Sequence, residues 1–316
     1  MGARIRATIA GVGIGVPEAR LTNADLEARV DTNDTWIVER TGIRERRVAI
    51  NGETTASMAV VAGAAAIKDA GLTPDDVDLV VLASTTPDRK VPATSASVQD
   101  GLGLRCGAFD LNAACAGFVY SLGVAASLVE TGRASTVLVA GSDVLTRITD
   151  PDDRATVVLF GDGAGAVVLT ATDGDGGLLS WNVGCDGSLL AILEVPVGEQ
   201  YLKMDGREVF RRAVRVVVDS ARAALADAGA AANDLALFVP HQANARIVGA
   251  AVSRLGIPED RTAVNLDRYG NTSAASIPLA LAEAVEAGRV RDGDLVLLSG
   301  FGAGMTWASA VLRWGR

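Results

Sequence analysis

The sequence repeats itself across its midpoint. Residues 65–71 read AAIKDAG and residues 223–229 read AALADAG, an offset of 223 − 65 = 158 in a chain of 316 residues. A second pair, VETGRASTVLVAGS from 129 and VEAGRVRDGDLVLLSG from 285, starts at an offset of 285 − 129 = 156. Two matched blocks at nearly one offset predict two similar halves, roughly 1–172 and 173–316.

Short β-rich runs alternate with Ala-rich stretches of helical pattern in each half. We predict strands over 78–83, 136–141, 164–170, 235–239 and 294–299. We predict helices over 55–70, 116–131, 208–228, 243–255 and 275–287. Alternation of this kind is typical of α/β folds with buried sheets, here packed as two similar halves in one body.

Charge balance and rare residues exclude several functions. With 29 Lys and Arg against 38 Asp and Glu, the net charge is −9, and no basic run marks a nucleic-acid surface. The one histidine, His241, excludes multi-histidine metal centres. Since no run reaches about 18 strongly apolar residues, no membrane span is expected.

Cysteine usage points to a reducing compartment. Cys106, Cys115 and Cys185 are an odd number without CxxC spacing, which favours the cytoplasm over a disulfide framework. The N-terminal apolar run is short, Gly-rich and ends at Pro17, which predicts a first buried strand and turn rather than a signal peptide. We therefore expect a cytoplasmic protein.

Cys115 is the strongest candidate nucleophile. The run LNAA leads into it and a helical pattern follows, so we expect it at a strand-to-helix turn, where the helix dipole favours a thiolate. Small flanking residues leave room for a substrate. The competing interpretation is a buried structural cysteine, which we retain for Cys106 and Cys185.

Two further residues join this candidate site. Alignment of VETGR with VEAGR places Cys115 opposite Asn271, so that both would lie at the start of equivalent helices. Asn271 alone would be interpreted as a helix cap. His241 ends a predicted strand, where α/β proteins carry functional side chains, although a lone histidine is commonly structural.

Gly-rich segments predict tight turns. FGDGAGAVVL at 160–169 and GFGAG at 300–304 are typical of close backbone approach, and amides beside a nucleophile could hold an oxyanion. GVGIG at 11–15 lacks the third glycine of the dinucleotide fingerprint, so no dinucleotide site is expected.

At these residues the sequence resembles the β-ketoacyl-acyl carrier protein synthase III family of the thiolase superfamily. The resemblance spans nearly the whole chain and lies in DTNDTWIVERTGIRERR, AACAGF, FGDGAGA, VPHQAN, YGNTSAAS and GFGAGMTW. It implies a homodimer and a thiolase-like αβαβα five-layered α/β fold. The first half would carry the nucleophilic Cys, and the second half the His and Asn.

The resemblance further implies a Cys-His-Asn triad at Cys115, His241 and Asn271, in an acyltransferase that needs no metal or redox cofactor. Cys115 would take the acyl group of an acyl-CoA primer. His241 and Asn271 would then stabilise the enolate that forms as malonyl-acyl carrier protein loses CO₂. The condensation would give 3-oxoacyl-acyl carrier protein and so initiate fatty acid synthesis.

Several binding residues follow from the same resemblance. The amide of Cys115 and a turn would hold the oxyanion, the turn being Gly302, Ala303 and Gly304. The CoA entrance would be lined by Thr32, Trp36, Arg40 and Arg154, with Trp36 and Arg154 sandwiching the adenine. The pantetheine tunnel would be lined by Gly206, Phe210, Ala243 and Asn244. The acyl carrier protein would dock on Gln242, Arg246, Arg211 and Arg254. Val91 would reach the acyl pocket of the partner subunit.

Alternatives stay open at this point. A starter-unit ketosynthase or acyltransferase of a polyketide pathway would share the triad, and an inactive dimer could bind acyl-CoA without reaction. The arginines could form a solvated helix face, and Val91 could be a surface-loop residue without a role. The sequence gives neither the length and branching of the primer nor the cognate carrier protein.

Overall fold

Strands and helices alternate along the chain as the repeat predicts. The computed structural model describes residues 5–315. The first half contains β1 (Arg6–Gly15), β2 (Arg20–Thr22), α1 (Asn23–Glu27), α2 (Asp34–Thr41), β3 (Glu45–Arg47), α3 (Thr55–Asp69), β4 (Leu79–Ala83), α4 (Thr94–Gly101), β5 (Gly107–Leu111), α5 (Gly117–Glu130), β6 (Thr136–Val144), α6 (Arg154–Val157) and β7 (Asp162–Thr172).

The second half follows the same plan. It contains β8 (Gly177–Cys185), β9 (Leu193–Glu194), β10 (Lys203–Met204), α7 (Gly206–Asp227), β11 (Leu235–Pro240), α8 (Ala245–Leu255), α9 (Leu266–Tyr269), α10 (Ser276–Glu286), β12 (Leu295–Gly302) and β13 (Thr306–Arg313). All five predicted strands and five predicted helices are present, with ends shifted by at most three residues.

Four strands of the first large sheet follow the same order as the four strands of the second, and β5 extends the first sheet at its edge. The first is β1-β7-β6-β4-β5 and the second is β8-β13-β12-β11. In the first, β4 is parallel to β6, whereas β7 is antiparallel to β6 and β1. In the second, β11 is parallel to β12, whereas β13 is antiparallel to β12 and β8. This match confirms the duplication, and the predicted boundary at 172/173 falls between β7 and β8.

Five layers result from this arrangement. α3 and α4 cover the outer face of the first sheet, and Ala62, Ala66 and Leu138 belong to their shared core. α5 and α10 lie between the sheets, where Phe118 and Leu281 join the central core. α7 and α8 cover the outer face of the second sheet. The thiolase-like αβαβα fold is therefore confirmed.

Local sequence explains why these layers pack closely. All nine residues of β6 are buried, as expected for a strand covered on both faces. Gly13 of β1 lies directly against α3, since a Cβ on it would stand 2.2 Å from the carbonyl oxygen of Ala62. Thr54 caps the start of α3 by accepting from the amide of Ser57.

The two central helices begin in the same unusual way. A single 3₁₀ turn, Ala114–Ala116, precedes α5, and another, Ser273–Ala275, precedes α10. Each turn starts with a left-handed residue, Ala114 at φ 49° and Ser273 at φ 52°. Both turns lie at the carboxyl ends of parallel strands, where functional groups collect in α/β proteins. Within residues 5–315 no helix combines the length and the apolar character that a membrane span requires.

Candidate active site

Cys115 lies in the turn Ala114–Ala116, between β5 and α5. The side chain is half-buried, and burial raises the pKa of its thiol to about 12. The Ser273 hydroxyl lowers that pKa and the negative charge of Asp143 raises it. Burial therefore opposes the ionisation that a position at the start of a helix favours.

His241 follows β11 and is fixed by its surroundings. Its amide donates to the carbonyl of Ser299 at 2.8 Å, and its ring packs edge-on against Phe301. Nδ1 lies 2.6 Å from the Ser276 hydroxyl oxygen. The side chain is 2% exposed, and burial lowers the pKa of the imidazole to about 3. His241 is therefore neutral at physiological pH.

Asn271 is held by its backbone and by its side-chain oxygen. Its amide donates to the Leu159 carbonyl at 2.8 Å, and its carbonyl accepts from the Gly161 amide at 3.0 Å. Its Oδ1 accepts from the amide of Ser273 at 2.9 Å. With Oδ1 engaged, Nδ2 is the group that can donate to a substrate.

The structure corrects the predicted equivalence between Cys115 and Asn271. The turns before α5 and α10 correspond at an offset of 273 − 114 = 159, so Cys115 matches Ala274. Asn271 matches Asn112, whose Oδ1 accepts from the Ala114 amide as Asn271 accepts from Ser273. α5 has 14 residues and α10 has 11, which accounts for the offset of 156 after the helices.

One cavity of about 590 Å³ brings these side chains together. Cys115, His241 and Asn271 all line it, as do the predicted residues Trp36, Arg40, Gly206, Phe210, Ala243 and Asn244. Ser273 also lines it, and Ser276 orients His241 from behind. Sequence reasoning assigned no role to these two serines, although they lie within YGNTSAAS. It also missed the apolar lining, to which Leu145, Phe160 and Met204 belong.

The turn at 302–304 lies against the candidate nucleophile. A Cβ on Gly302 would stand 2.5 Å from the Cys115 nitrogen, so a side chain cannot fit there. Gly304 has φ 127°, which non-glycine residues rarely adopt. Ala303 lines the cavity between them. The backbone of this turn is therefore close enough to share an anion with the Cys115 amide.

The predicted CoA entrance is partly present. Arg154 stacks on the ring of Trp36 at 4.2 Å from its centroid, which leaves no room for a base between them. An adenine can enter such a sandwich only after Arg154 moves. Thr32 does not line the cavity, and its buried hydroxyl has no hydrogen-bond partner among residues 5–315.

The predicted carrier-protein contacts divide into two groups. Arg211 of α7 and Arg246 and Arg254 of α8 are exposed. Gln242 is 1% exposed, and its Nε2 donates to the carbonyls of Pro240 and Ala263. The predicted carrier-protein contact of Gln242 is therefore wrong, because this side chain belongs to the interior.

Val91 lies outside the cavity of its own chain. It is 83% exposed and lies in the loop between β4 and α4. Any role in an acyl pocket therefore requires a second subunit.

The fold defines the thiolase-fold class of proteins, and its cavity brings a cysteine, a histidine and an asparagine together. A family model described as "3-Oxoacyl-[acyl-carrier-protein (ACP)] synthase III" matches residues 109–187, and its C-terminal counterpart matches residues 225–314. A β-ketoacyl-[acyl-carrier-protein] synthase III from Roseiflexus castenholzii is 52% identical, with 98% of each chain covered. The chain belongs to the β-ketoacyl-acyl carrier protein synthase III family.

Solved structures agree with this assignment. The β-ketoacyl-[acyl carrier protein] synthase III from Thermus thermophilus has a TM-score of 0.94 and 50% identity, covering 98% of this chain and 99% of that one. The priming β-ketosynthase of the R1128 polyketide pathway has a TM-score of 0.94 and 40% identity, covering 99% and 98%. The higher identities to the synthase III relatives do not favour the polyketide alternative.

Proposed function

We propose that the chain condenses an acyl-CoA primer with malonyl-acyl carrier protein and so initiates fatty acid synthesis. The observation that supports this most is the convergence of Cys115, His241 and Asn271 on one cavity beside the turn at 302–304. The identity to named synthase III relatives supports the same reaction.

In the first half-reaction Cys115 attacks the thioester carbon of the primer. The sulfur–carbon bond to Cys115 forms and the bond to the CoA sulfur breaks. The thiol proton leaves Cys115 during the attack, and CoA departs with a proton as a neutral thiol. Because burial raises the pKa of Cys115 to about 12, the resting enzyme holds a thiol, and ionisation accompanies the reaction.

In the second half-reaction the malonyl thioester loses CO₂ and becomes an enolate. His241 and Asn271 would donate to its oxygen. The neutral imidazole can donate from Nε2 while Nδ1 accepts from Ser276, and Asn271 can donate from Nδ2 while Oδ1 accepts from Ser273. The enolate carbon then attacks the acyl carbonyl on Cys115, and the carbon–carbon bond forms with a tetrahedral oxyanion. Collapse of the oxyanion breaks the bond to sulfur, and the Cys115 thiolate takes up a proton from water to restore the thiol.

The oxyanion of that attack would lie between the Cys115 amide and the turn at 302–304. Gly302 brings no side chain to the Cys115 nitrogen, which leaves the amide accessible. The methyl of Ala303 leaves the backbone amides of the turn in place. Preformed donors of this kind stabilise developing charge without reorganisation.

The ligands would approach along the exposed end of the cavity. Trp36 and Arg154, after Arg154 moves, would hold the CoA base, with Thr32 and Arg40 nearby at the entrance. The pantetheine arm would pass Gly206, Phe210, Ala243 and Asn244. An acidic carrier protein would dock on α7 and α8, where it would contact Arg211, Arg246 and Arg254.

We also propose that the protein is a cytoplasmic homodimer, in which each subunit consists of two halves, 1–172 and 173–316. Strand β5 forms the free edge of the first sheet, with Phe109 36% exposed, and the exposed Val91 lies in the loop before α4. Pairing of such edges between two subunits would cover both features.

The product distinguishes this function from a simple acyl transfer. Purified enzyme, acetyl-CoA or isobutyryl-CoA and malonyl-acyl carrier protein should yield 3-oxoacyl-acyl carrier protein, measured by the intact mass of the carrier protein. Exchange of acyl groups without a new carbon–carbon bond would instead support an acyltransferase of a polyketide pathway. No label on Cys115 with any primer would support an inactive binding protein.

A further inference from the structure

The duplication gives the active site a silent second copy. At the offset of 159 that the two turns share, Cys115 corresponds to Ala274. A Cβ on Gly141 would stand 2.2 Å from the Ala274 carbonyl oxygen and one on Gly300 3.4 Å from the Cys115 carbonyl oxygen, so Gly141 corresponds to Gly300 (300 − 141 = 159) and Asp143 to Gly302 (302 − 143 = 159). β12, which carries Gly302, packs on the turn Ala114–Ala116, and β6, which carries Asp143, packs on the turn Ser273–Ala275. Each half therefore supplies the strand that faces the turn of the other half.

The silent copy lacks the reactive side chains. In the first sheet Ala83 pairs with Gly141. In the second sheet His241 is the residue that follows the Pro240–Ser299 pair, and it stands at the position that Ala83 has in the first. Gly117 starts α5 as Ser276 starts α10. A Cβ on Gly117 would stand 3.2 Å from the Cβ of Ala83, so this pair occupies the place of the His241–Ser276 contact.

Asp143 occupies the place where the active copy would bind its oxyanion. The side chain is fully buried, and its Oδ2 accepts from the Ala274 amide at 3.2 Å. Its Oδ1 accepts from Ser84 and from the amides and hydroxyls of Thr85 and Thr86. Every one of these partners is a donor, which suits an ionised carboxylate.

We infer that Asp143 is an internal anion that fills the silent oxyanion site and thereby positions the loop 271–275, which presents Asn271 to the substrate. The inference rests on the proposed function, because it assigns Asn271 to the malonyl half-reaction. Ala274 lies three residues beyond Asn271, and the Ser273 amide between them holds the Asn271 side chain. Loss of the Asp143 carboxylate would leave the buried Ala274 amide without its charged acceptor.

Asp143→Asn tests this role, because it keeps the size of the side chain and removes the charge. We expect the rates of malonyl decarboxylation and condensation to fall about 10- to 100-fold, because this is the size of effect that the loss of one buried charged hydrogen-bond acceptor produces. Acylation of Cys115 by acyl-CoA should stay within about twofold of the parent. Cys115 lies in the other turn, and removal of a nearby negative charge favours its thiolate.

Asp78→Asn is the matched control. Asp78 also accepts from two backbone amides, those of Ser135 and Thr136, at the opposite end of β4. Both half-reactions should keep the parent rate in this variant. Asp143→Ser, which leaves an uncharged oxygen on the side chain, provides a second test if Asp143→Asn does not fold, and it should show the same split.

Parallel loss of both half-reactions in a folded Asp143 variant would overturn the inference in favour of a general structural role. Unchanged decarboxylation would overturn it as well. Failure of the proposed function gives a different result, namely no condensation by the parent enzyme. Intact mass of the enzyme measures acylation, and release of CO₂ from malonyl-acyl carrier protein measures decarboxylation.

Discussion

Neighbouring groups leave one nitrogen free to donate on each of two side chains that line the cavity. Ser276 takes Nδ1 of His241, and the Ser273 amide takes Oδ1 of Asn271. The remaining donors are Nε2 of His241 and Nδ2 of Asn271, and in the proposed mechanism both donate to the enolate oxygen. Cys115 is a half-buried cysteine whose thiol pKa is raised by desolvation. The proposed mechanism therefore assigns acylation to Cys115 and decarboxylation to His241 and Asn271.

His241→Ala and Asn271→Ala test this division. Each variant should lose about 10²- to 10³-fold in malonyl decarboxylation, because each removes one donor to the enolate oxygen. Both should retain measurable acylation of Cys115. Quenched assays separate the two steps: CO₂ release measures decarboxylation, and the mass of the acyl-enzyme measures acylation. Decarboxylation near the parent rate in both variants would refute the enolate-stabilising role.

Burial of neutral His241 also predicts a pH dependence of stability. Its pKa is lowered from 6.5 to about 3 in the folded protein, so below pH 6.5 only the unfolded chain binds this proton. Stability is therefore lost as the pH falls through 6.5. Between pH 7.5 and pH 5 the parent should lose about 2 kcal/mol more unfolding free energy than His241→Gln, at about 1.4 kcal/mol per pH unit.

Urea unfolding of both proteins at the two pH values measures this difference. The His241→Gln comparison cancels the other titrating groups, which both chains share. An equal loss in the two proteins would mean that His241 titrates normally and is not held neutral by burial.

At the scale of elements, α7 and α8 place a basic surface beside the cavity. Arg246 and Arg254 lie on α8, and Arg211 on α7 is paired with Glu208 at 2.5 Å. That ion pair reduces the charge which Arg211 can offer to a partner. Arg246 lies 5.5 Å from the ring centroid of Phe210, which lines the cavity.

Charge reversal tests whether this surface binds the carrier protein. Arg246→Glu and Arg254→Glu should raise KM for malonyl-acyl carrier protein and leave acylation by acyl-CoA largely intact. Arg211→Glu should have the smallest effect of the three because of Glu208. Added salt should weaken the parent in the same way, since exposed charges are screened over about 8–10 Å near physiological ionic strength.

Arg133→Glu is the control for that experiment. Arg133 is exposed in the loop after α5, and its reversal changes the net charge equally. An equal rise in KM with Arg133→Glu would indicate a net-charge effect rather than a docking surface. Equal damage to both half-reactions would indicate a folding defect or a loss of CoA binding.

Elements were predictable where the sequence pattern was unambiguous. The strands over 136–141 and 235–239 are short apolar runs that are buried almost throughout, and the helix over 208–228 buries residues at helical spacing. The register of the repeat at the site was not predictable from the matched blocks. α5 is three residues longer than α10, and the loop after α10 restores the length, so VETGR and VEAGR align at an offset that the turns do not share.

At the scale of the whole molecule, the site depends on both halves. Cys115 comes from the first half, whereas His241, Asn271 and Gly302 come from the second. The sequence placed these residues at the ends of strands or the starts of helices, and family resemblance supplied their roles. It did not predict that desolvation raises the pKa of Cys115 or that Gln242 is buried, because both depend on packing around the cavity.

Val91→Phe tests the proposed dimer and its acyl pocket together. In a homodimer Val91 would face the acyl pocket of the partner subunit, and a larger side chain would shorten that pocket. The kcat/KM for isobutyryl-CoA should fall about 10- to 200-fold relative to acetyl-CoA, as one or two lost methylenes of space imply. An unchanged ratio in a variant that is still dimeric would place Val91 outside the pocket.

The most direct test of the proposed function is the covalent state of Cys115. After incubation with acyl-CoA, intact and peptide mass should show one acyl group on Cys115, which disappears when malonyl-acyl carrier protein is added and 3-oxoacyl-acyl carrier protein forms. Cys115→Ala should remain folded, carry no acyl group and form no product. An acyl group on Cys115→Ala, or condensation by it at the parent rate, would contradict the proposed mechanism.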